Sequence, residues 1–276
     1  MRSLRRSAIG PEGYAGWYDP TVEIVERDTE VAGLATHWRQ AGDAPILYVH
    51  GVPTASWEWE PFLVRSGGVA LDLPGFGRSA KPGDFDYSIP GYDRFLEAFC
   101  AHVGLERYSL VVNDWGGVAL ALAQRFPERI QRLVLFSTVP LLPGFRWHRV
   151  ARAWRTPLVG ELTMGFTTRW GFRRSLPREI ADRAYEHFDQ GTQRAILRLY
   201  RSAPPEALAR HGERLGELRC PALILWPSDD PYISADFGRR YADALGGEAE
   251  LESTDGGHWN WIGRPDLERR VERFLG

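Results

Sequence analysis

The sequence is short of the features that mark a special environment. Among its 276 residues there are two cysteines, Cys100 and Cys220. They lie far apart, outside any CxxC or histidine-rich cluster. That argues against a disulfide scaffold or a zinc site and predicts reduced, buried thiols in a cytoplasmic protein. No stretch approaches the ~18 to 20 consecutive apolar residues that cross a bilayer, so no transmembrane helix is expected. The arginines in MRSLRRSAIGPEGYAG have no apolar run behind them, and this segment is not expected to act as a signal peptide. An excess of one charge is also missing. Lys and Arg number 34 against 36 Asp and Glu, for a net charge of -2. This balance gives no reason to expect a nucleic acid or an anionic membrane surface as partner. Lys81 is the only lysine, which reads as compositional bias or surface ion pairing. There is no repeat and no low-complexity segment.

The apolar content of 43% suffices for a full core, and one large domain with an insertion fits the length. Residues 21–28 and 34–40 alternate like half-buried strands around a turn at Val31 to Gly33. Residues 45–49, 67–73, 109–113, 132–136 and 222–226 are short apolar runs that stop abruptly, as buried strands do. A last strand near 249–253 leads into Gly256-Gly257-His258. Between them lie helical patterns, VALALAQRF after residue 117 and PDLERRVERFL at 265–275. Buried strands alternating with helices predict an α/β fold with a mostly parallel central sheet flanked by helices. Residues 140–215 break this rhythm with helix-like patterns such as REIADRAYEHF and no buried strand. We read them as an inserted helical cap, or lid, on a core made of 1–139 and 216–276. Two ordinary crossover helices with a long loop are the plainer alternative.

In sheets of this kind ligands bind beyond the carboxyl ends of the strands, and each unusual motif sits at such an end. The turn Val112-Asn113-Asp114-Trp115-Gly116-Gly117 has the small residues of a tight strand-to-helix elbow. Its central residue is aspartate, with neither serine nor cysteine there. A carboxylate gains little by attacking a carbonyl, but it displaces a leaving group at an sp3 carbon and forms an alkyl-enzyme ester. Water activated by a histidine must then cleave that ester. Asp114 therefore predicts an epoxide or an alkyl halide as substrate, unless it only caps the helix that follows.

The segments HGVPTASWEW (50–59), DLPGFGRSAKP (72–82), VVNDWGG (111–117), WPSDDP (226–231) and GGHWNW (256–261) carry a family resemblance. In this order they resemble the α/β-hydrolase superfamily over nearly the whole chain. Within it they resemble the group of epoxide hydrolases and haloalkane dehalogenases that use an aspartate nucleophile. The resemblance implies an α/β-hydrolase fold and a triad of Asp114, His258 and an acid after the strand at 222–226. Asp230 is favoured for that acid over Asp229, with Pro227 standing where the family has glycine. It also implies an oxyanion hole from the backbone N–H groups of Val52 and Trp115, each donor worth ~3 to 4 kcal/mol in comparable sites. His50, Pro53 and Trp115 are expected to line the substrate pocket, with His50 also shaping the oxyanion loop.

The leaving group separates the two activities. A departing alkoxide needs a proton donor, whereas a halide needs only N–H donors. RAILRLYRS places Tyr200 where epoxide hydrolases of this group carry a ring-opening tyrosine. Their second lid tyrosine has no counterpart in GELTMGFTTRW; Tyr185 is the only other in the lid, and His148 is a possible substitute donor. On the halide side Trp115 is in place, but Val52 stands where dehalogenases commonly carry a halide-binding asparagine. Trp147, Trp154 or Trp170 would have to replace it. We therefore expect an epoxide hydrolase acting on a small hydrophobic epoxide with water. A haloalkane dehalogenase is the alternative, and a non-catalytic ligand-binding relative is the more distant one. No metal or organic cofactor is expected, and the oligomeric state is left open.

Overall fold

The computed structural model describes residues 22–276. The readings made on residues 1–21, including that of the N-terminal arginines, lie outside the described residues. Eight strands form one sheet. They are β1 (Val25–Val31), β2 (Leu34–Ala41), β3 (Ile46–Val49), β4 (Gly68–Leu71), β5 (Tyr108–Asn113), β6 (Ile130–Phe136), β7 (Ala222–Pro227) and β8 (Ala249–Thr254). Their order is β1-β2-β4-β3-β5-β6-β7-β8. β2 runs antiparallel to both β1 and β4, and all other neighbours are parallel. The first strand begins later and ends later than its alternation predicts. The two-residue turn at Ala32 and Gly33 (φ 50° and 79°) lets pairing continue up to Val31 and Leu34.

Side chains alternate across the pleat and feed two apolar layers. Leu47, Val49, Leu110, Val112, Leu133 and Ile224 face one layer. It is completed by α2 (Ile89–His102), α3 (Ala119–Arg125) and α10 (Asp236–Ala244). Tyr48, Val111, Val134, Leu223 and Leu225 face the other, against α1 (Glu60–Ser66) and α11 (Pro265–Leu275). β3, β5 and β7 are covered on both faces and buried throughout, which is why they read as near-continuous apolar runs. Each fully buried aliphatic side chain contributes about 1.5 to 3 kcal/mol.

Between β6 and β7 the chain leaves the sheet and forms only helices: α4 (Arg149–Arg155), α5 (Val159–Gly165), α6 (Arg169–Ser175), α7 (Arg178–Glu186), α8 (Gln190–Ser202) and α9 (Pro205–His211). They occupy the segment read as a lid. The patterns REIADRAYEHF and TQRAILRLY correspond to α7 and α8. Among the described residues no helix is long and apolar enough to cross a membrane. Cys100 is buried, Cys220 half-buried, and both are free thiols.

Candidate active site

Asp114 follows the last residue of β5 with φ of 45°, a left-handed conformation that an L-residue adopts at a cost of about 1 to 3 kcal/mol. Gly116, two residues on, and Gly51, in the loop after β3, leave the room this requires. A Cβ on Gly116 would lie 2.1 Å from the Val49 carbonyl oxygen, and one on Gly51 would lie 2.6 Å from the Asp114 Cβ. The elbow and the loop after β3 thus pack backbone against backbone. The Val52 N–H donates to Asp114 Oδ2 at 2.9 Å.

His258 sits in the turn after β8, reached through Gly256 and Gly257 at φ 100° and 68°. Its Nδ1 donates to Asp230 Oδ2 at 2.7 Å, and its Nε2 lies 3.8 Å from Asp114 Oδ1. The second gap is too long for a direct hydrogen bond, but it suits a base that must take a proton from water approaching an ester on Asp114. Asp230 Oδ1 accepts from the N–H groups of Tyr232 and Ile233 at 2.7 and 3.1 Å, which locks the carboxylate. Asp229 is exposed and accepts from Gly257 N–H at 2.9 Å, so it braces the histidine turn. Of the two candidate acids, the geometry brings Asp230 to the imidazole.

The electrostatics follow from burial opposed by partners. Burial raises the Asp114 carboxyl above the ordinary range, against the His258 charge and the Val52 and Trp115 N–H groups, which lower it. Burial disfavours the His258 cation, yet the hydrogen-bonded Asp230 and the Asp114 charge outweigh it and the histidine is raised. For Asp230 burial is again the largest influence, but His258 and two backbone donors hold it low. Asp230 therefore remains an anion that stabilises an imidazolium.

The side chains meet at a cavity of about 290 Å³, lined by Asp114, His258, Val52, Pro53 and mostly apolar groups of α4, α5, α6, α8 and the segments that join them. Tyr200 also lines it. His50 and Trp115 do not, contrary to expectation. The His50 ring is fully buried, with Nδ1 donating to the Gly51 carbonyl at 2.7 Å and Nε2 accepting from Leu73 N–H at 3.0 Å. Both ring nitrogens are spent on loop structure. The Trp115 indole stacks on Trp147 and meets the Tyr200 ring edge-on at 5.0 Å, which places it behind these two. Its indole nitrogen is buried without a well-formed hydrogen bond. Burial pushes the Tyr200 hydroxyl well above its ordinary value; the Asp114 charge adds to this, and a contact with the Trp115 indole opposes it.

The other lid candidates divide. Trp147 lines the cavity, but its indole N–H is committed to the Ala203 carbonyl at 3.0 Å. Trp154 lines it as well, whereas Trp170 is 69% exposed. Tyr185 packs on Phe172 and Phe188 within the lid. His148 lines the cavity and caps α4, its Nδ1 accepting from Ala151 N–H at 3.3 Å. Burial, helped by the His258 charge, lowers it to about 4. It is neutral near pH 7 with its proton on Nε2.

Three residues escaped the sequence reading. Tyr232 lines the cavity, lays its ring against His258 at 5.2 Å, and donates from its hydroxyl to the Ser175 carbonyl of α6 at 3.3 Å. Asp72, in the DLPGFGRS turn, accepts from the Ser56 and Arg78 N–H groups at 2.7 and 2.8 Å and so ties that turn to the loop after β3. Glu58 is buried beside the same loop, with Oε1 3.4 Å from Gly51 N–H and Oε2 without a partner. Only the position of Tyr232, two residues past the acid, was a signal visible beforehand. Among the described residues no cluster of His, Cys, Asp or Glu is suited to a metal ion.

A family model for the alpha/beta hydrolase fold matches residues 44–265. The chain belongs to the α/β-hydrolase fold family. Within this hydrolase family, a haloalkane dehalogenase of Bradyrhizobium diazoefficiens is 29% identical over 265 residues, covering 81% of this chain and 85% of that protein. A haloalkane dehalogenase of Agrobacterium fabrum is 34% identical over 148 residues, a match that spans about half of each, 49% of this chain and 48% of the other. The crystal structure of the haloalkane dehalogenase DbeA from Bradyrhizobium elkani superposes with a TM-score of 0.79 at 25% identity, covering 92% of this hydrolase and 98% of that chain. These similarities favour the halide alternative over the epoxide reading preferred from the sequence. The sequence reading leaned to the epoxide on Tyr200 as a leaving-group acid.

Proposed function

We propose that the protein is a haloalkane dehalogenase, with residues 140–215 as the cap over its cavity. The observation that carries this is the Asp114 carboxylate, held in a strained elbow with one oxygen on Val52 N–H and the other toward His258, at the wall of an apolar cavity. The similarity to dehalogenases supports the halide as leaving group.

In the first step an Asp114 oxygen attacks the carbon bearing the halogen. The carbon–oxygen bond forms as the carbon–halogen bond breaks, and the halide departs with the bonding pair. The Tyr200 hydroxyl, backed by the Trp115 indole, is the donor facing the leaving halide. In the second step His258 Nε2 takes a proton from water, and the hydroxide adds to the Asp114 carboxyl carbon. The oxyanion develops against the Val52 and Trp115 N–H groups. Collapse expels the alkoxide, which takes the proton from His258 and leaves as alcohol, and the Asp114 acid so formed gives its proton to solvent. The net reaction consumes water and the haloalkane and yields an alcohol, a halide ion and a proton. No cofactor is required.

A second reading, epoxide opening to a diol, uses the same two steps with Tyr200 as proton donor. It is favoured by the presence of the Tyr200 hydroxyl at the cavity wall. The deciding assay gives the purified protein 1-bromobutane and styrene oxide side by side and scores bromide and diol. Bromide without diol is the expected result. Diol without bromide would overturn the dehalogenase in favour of the epoxide hydrolase, and neither product would remove both substrate classes.

A further inference from the structure

The net charge of -2 hides a strong local asymmetry. All large hydrophobic side chains that stand exposed among the described residues fall within one short stretch of the lid: Val150, Leu158, Val159, Leu162, Phe166 and Trp170. Leu158, Phe166 and Trp170 are 76%, 81% and 69% exposed. Leu158 is also held at φ 67°, so the turn between α4 and α5 presents its side chain outward at a conformational cost. A contiguous exposed apolar patch on a globular protein marks an interaction surface.

The charge beside this patch is mostly positive, and Asp182 is taken up by Arg169 and Arg173. Arg146, Arg149, Arg152, Arg174 and Arg178 are exposed and form no ion pair with any described residue. Glu161 is the only acid between residues 140 and 178, and Arg201 takes it up through two hydrogen bonds. Tryptophan, phenylalanine and leucine set among unpaired arginines form the pattern that lies in a lipid interface, where anionic headgroups take the cations and the acyl boundary takes the rings. Pairing with a second copy through the same face would bring the two sets of unpaired arginines together. Val150 and Phe166 belong both to the patch and to the cavity wall, so the patch rims the cavity mouth.

We propose that this lid face docks on an anionic lipid surface and admits apolar substrate from the bilayer into the cavity. The docking stands on the patch alone; the delivery of substrate rests on the proposed function. The test is flotation of the full chain with phosphatidylcholine vesicles, with and without about one third phosphatidylglycerol. Binding is expected only with phosphatidylglycerol and falls in high salt. Arg149→Gln with Arg152→Gln weakens it by roughly 25-fold, at about fivefold per arginine near a charged surface. Leu158→Asp with Leu162→Asp abolishes it. Neither pair touches the cavity wall, so both variants retain the thermal transition and the turnover of dissolved 1-bromobutane. Failure of the wild type to float with anionic vesicles would overturn the docking, as would flotation that both variants preserve. A wild-type dimer that the leucine variant converts to a monomer would overturn it in favour of a second copy. Halide release absent in all forms, with vesicle binding intact and lost in the variants, would retire the substrate and leave the docking supported.

Discussion

The carboxyl ends of the central strands and the lid above them are built on opposite terms. At the strand ends the groups of the site itself have defined partners: Asp230 accepts three hydrogen bonds, Asp114 is held by Val52, and both His50 nitrogens are spent. In the lid Trp170, Leu158 and Leu162 stand in solvent, and Arg146, Arg149, Arg152, Arg174 and Arg178 form no ion pair with any described residue. A satisfied, buried network tolerates few arrangements and so fixes one chemistry. A surface with slack can change its apolar contacts without harming the sheet. On the proposed function, the reaction type belongs to the core, while leaving group and substrate belong to the lid.

The largest effect should come from breaking the core. In His258→Gln the first displacement still occurs, because Asp114 needs no base to attack carbon, but ester hydrolysis falls by about 10⁴-fold or more. Intact-protein mass spectrometry after exposure to 1-bromobutane should show one added butyl group, and peptide mapping should place it on Asp114. If the wild type releases bromide and this variant stays unmodified, Asp114 is not the nucleophile. The same histidine sets the pH dependence. Only the neutral ring accepts a proton, and Asp230 raises its titration above the ordinary 6.5. Ester hydrolysis should therefore rise with pH through that elevated value and be lost as pH falls below it. Stability runs the other way. Because the folded value is raised, the pairing of the cation with Asp230 contributes fully below the unfolded value and is lost as pH rises through the folded one. A rate that climbs with pH while the denaturation midpoint declines would separate the two roles of one ring.

A smaller effect tests where core and lid meet. If the Tyr200 hydroxyl faces the halide with the Trp115 indole behind it, Tyr200→Phe should slow bromide release about tenfold and Trp115→Phe only a few-fold. The double variant should then match Tyr200→Phe alone, since the indole acts through the hydroxyl. Additive losses would mean that Trp115 reaches the halide independently. On styrene oxide a ring-opening tyrosine would be worth about 10²- to 10⁴-fold, so the size of the Tyr200→Phe defect on each substrate also sharpens the choice of leaving group.

This boundary between core and lid is also where the sequence stopped being legible. Strands buried on both faces write themselves as short apolar runs, and an elbow that admits no Cβ writes itself as glycine. Asp114 could accordingly be read from the elbow, and the family resemblance added His258 and Asp230; the geometry brings the three together. His50 and Trp115 were misplaced because a motif fixes the backbone of its loop and leaves open which way a ring points. Whether Trp147 has a free N–H depends on the Ala203 carbonyl, 56 residues away. The lid patch was invisible for a related reason: net charge sums over the whole surface, and exposure depends on how short helices pack.

The smallest expected effect on turnover concerns Glu58, a carboxyl buried beside the loop after β3 and lacking a partner for one oxygen. Burial, with the Asp114 charge adding to it and hydrogen bonds from Thr54 and Gly51 opposing it, moves this group from the ordinary 4.5 to about 8. Below pH 4.5 the acid is neutral in both folded and unfolded chains and has no differential effect. Between these values the unfolded chain gives up its proton while the folded one keeps it, so stability falls on the order of 1 kcal/mol per pH unit and levels off above about 8. Glu58→Gln keeps the shape and removes the titration. Its turnover at pH 7 should stay within a few-fold of wild type, and its advantage in urea denaturation should grow from pH 5 to pH 9. The His258 contribution is common to both proteins and cancels in the difference. A constant difference across that range would mean that Glu58 is ionised in the folded protein at neutral pH, and that the core tolerates a second buried anion beside its nucleophile.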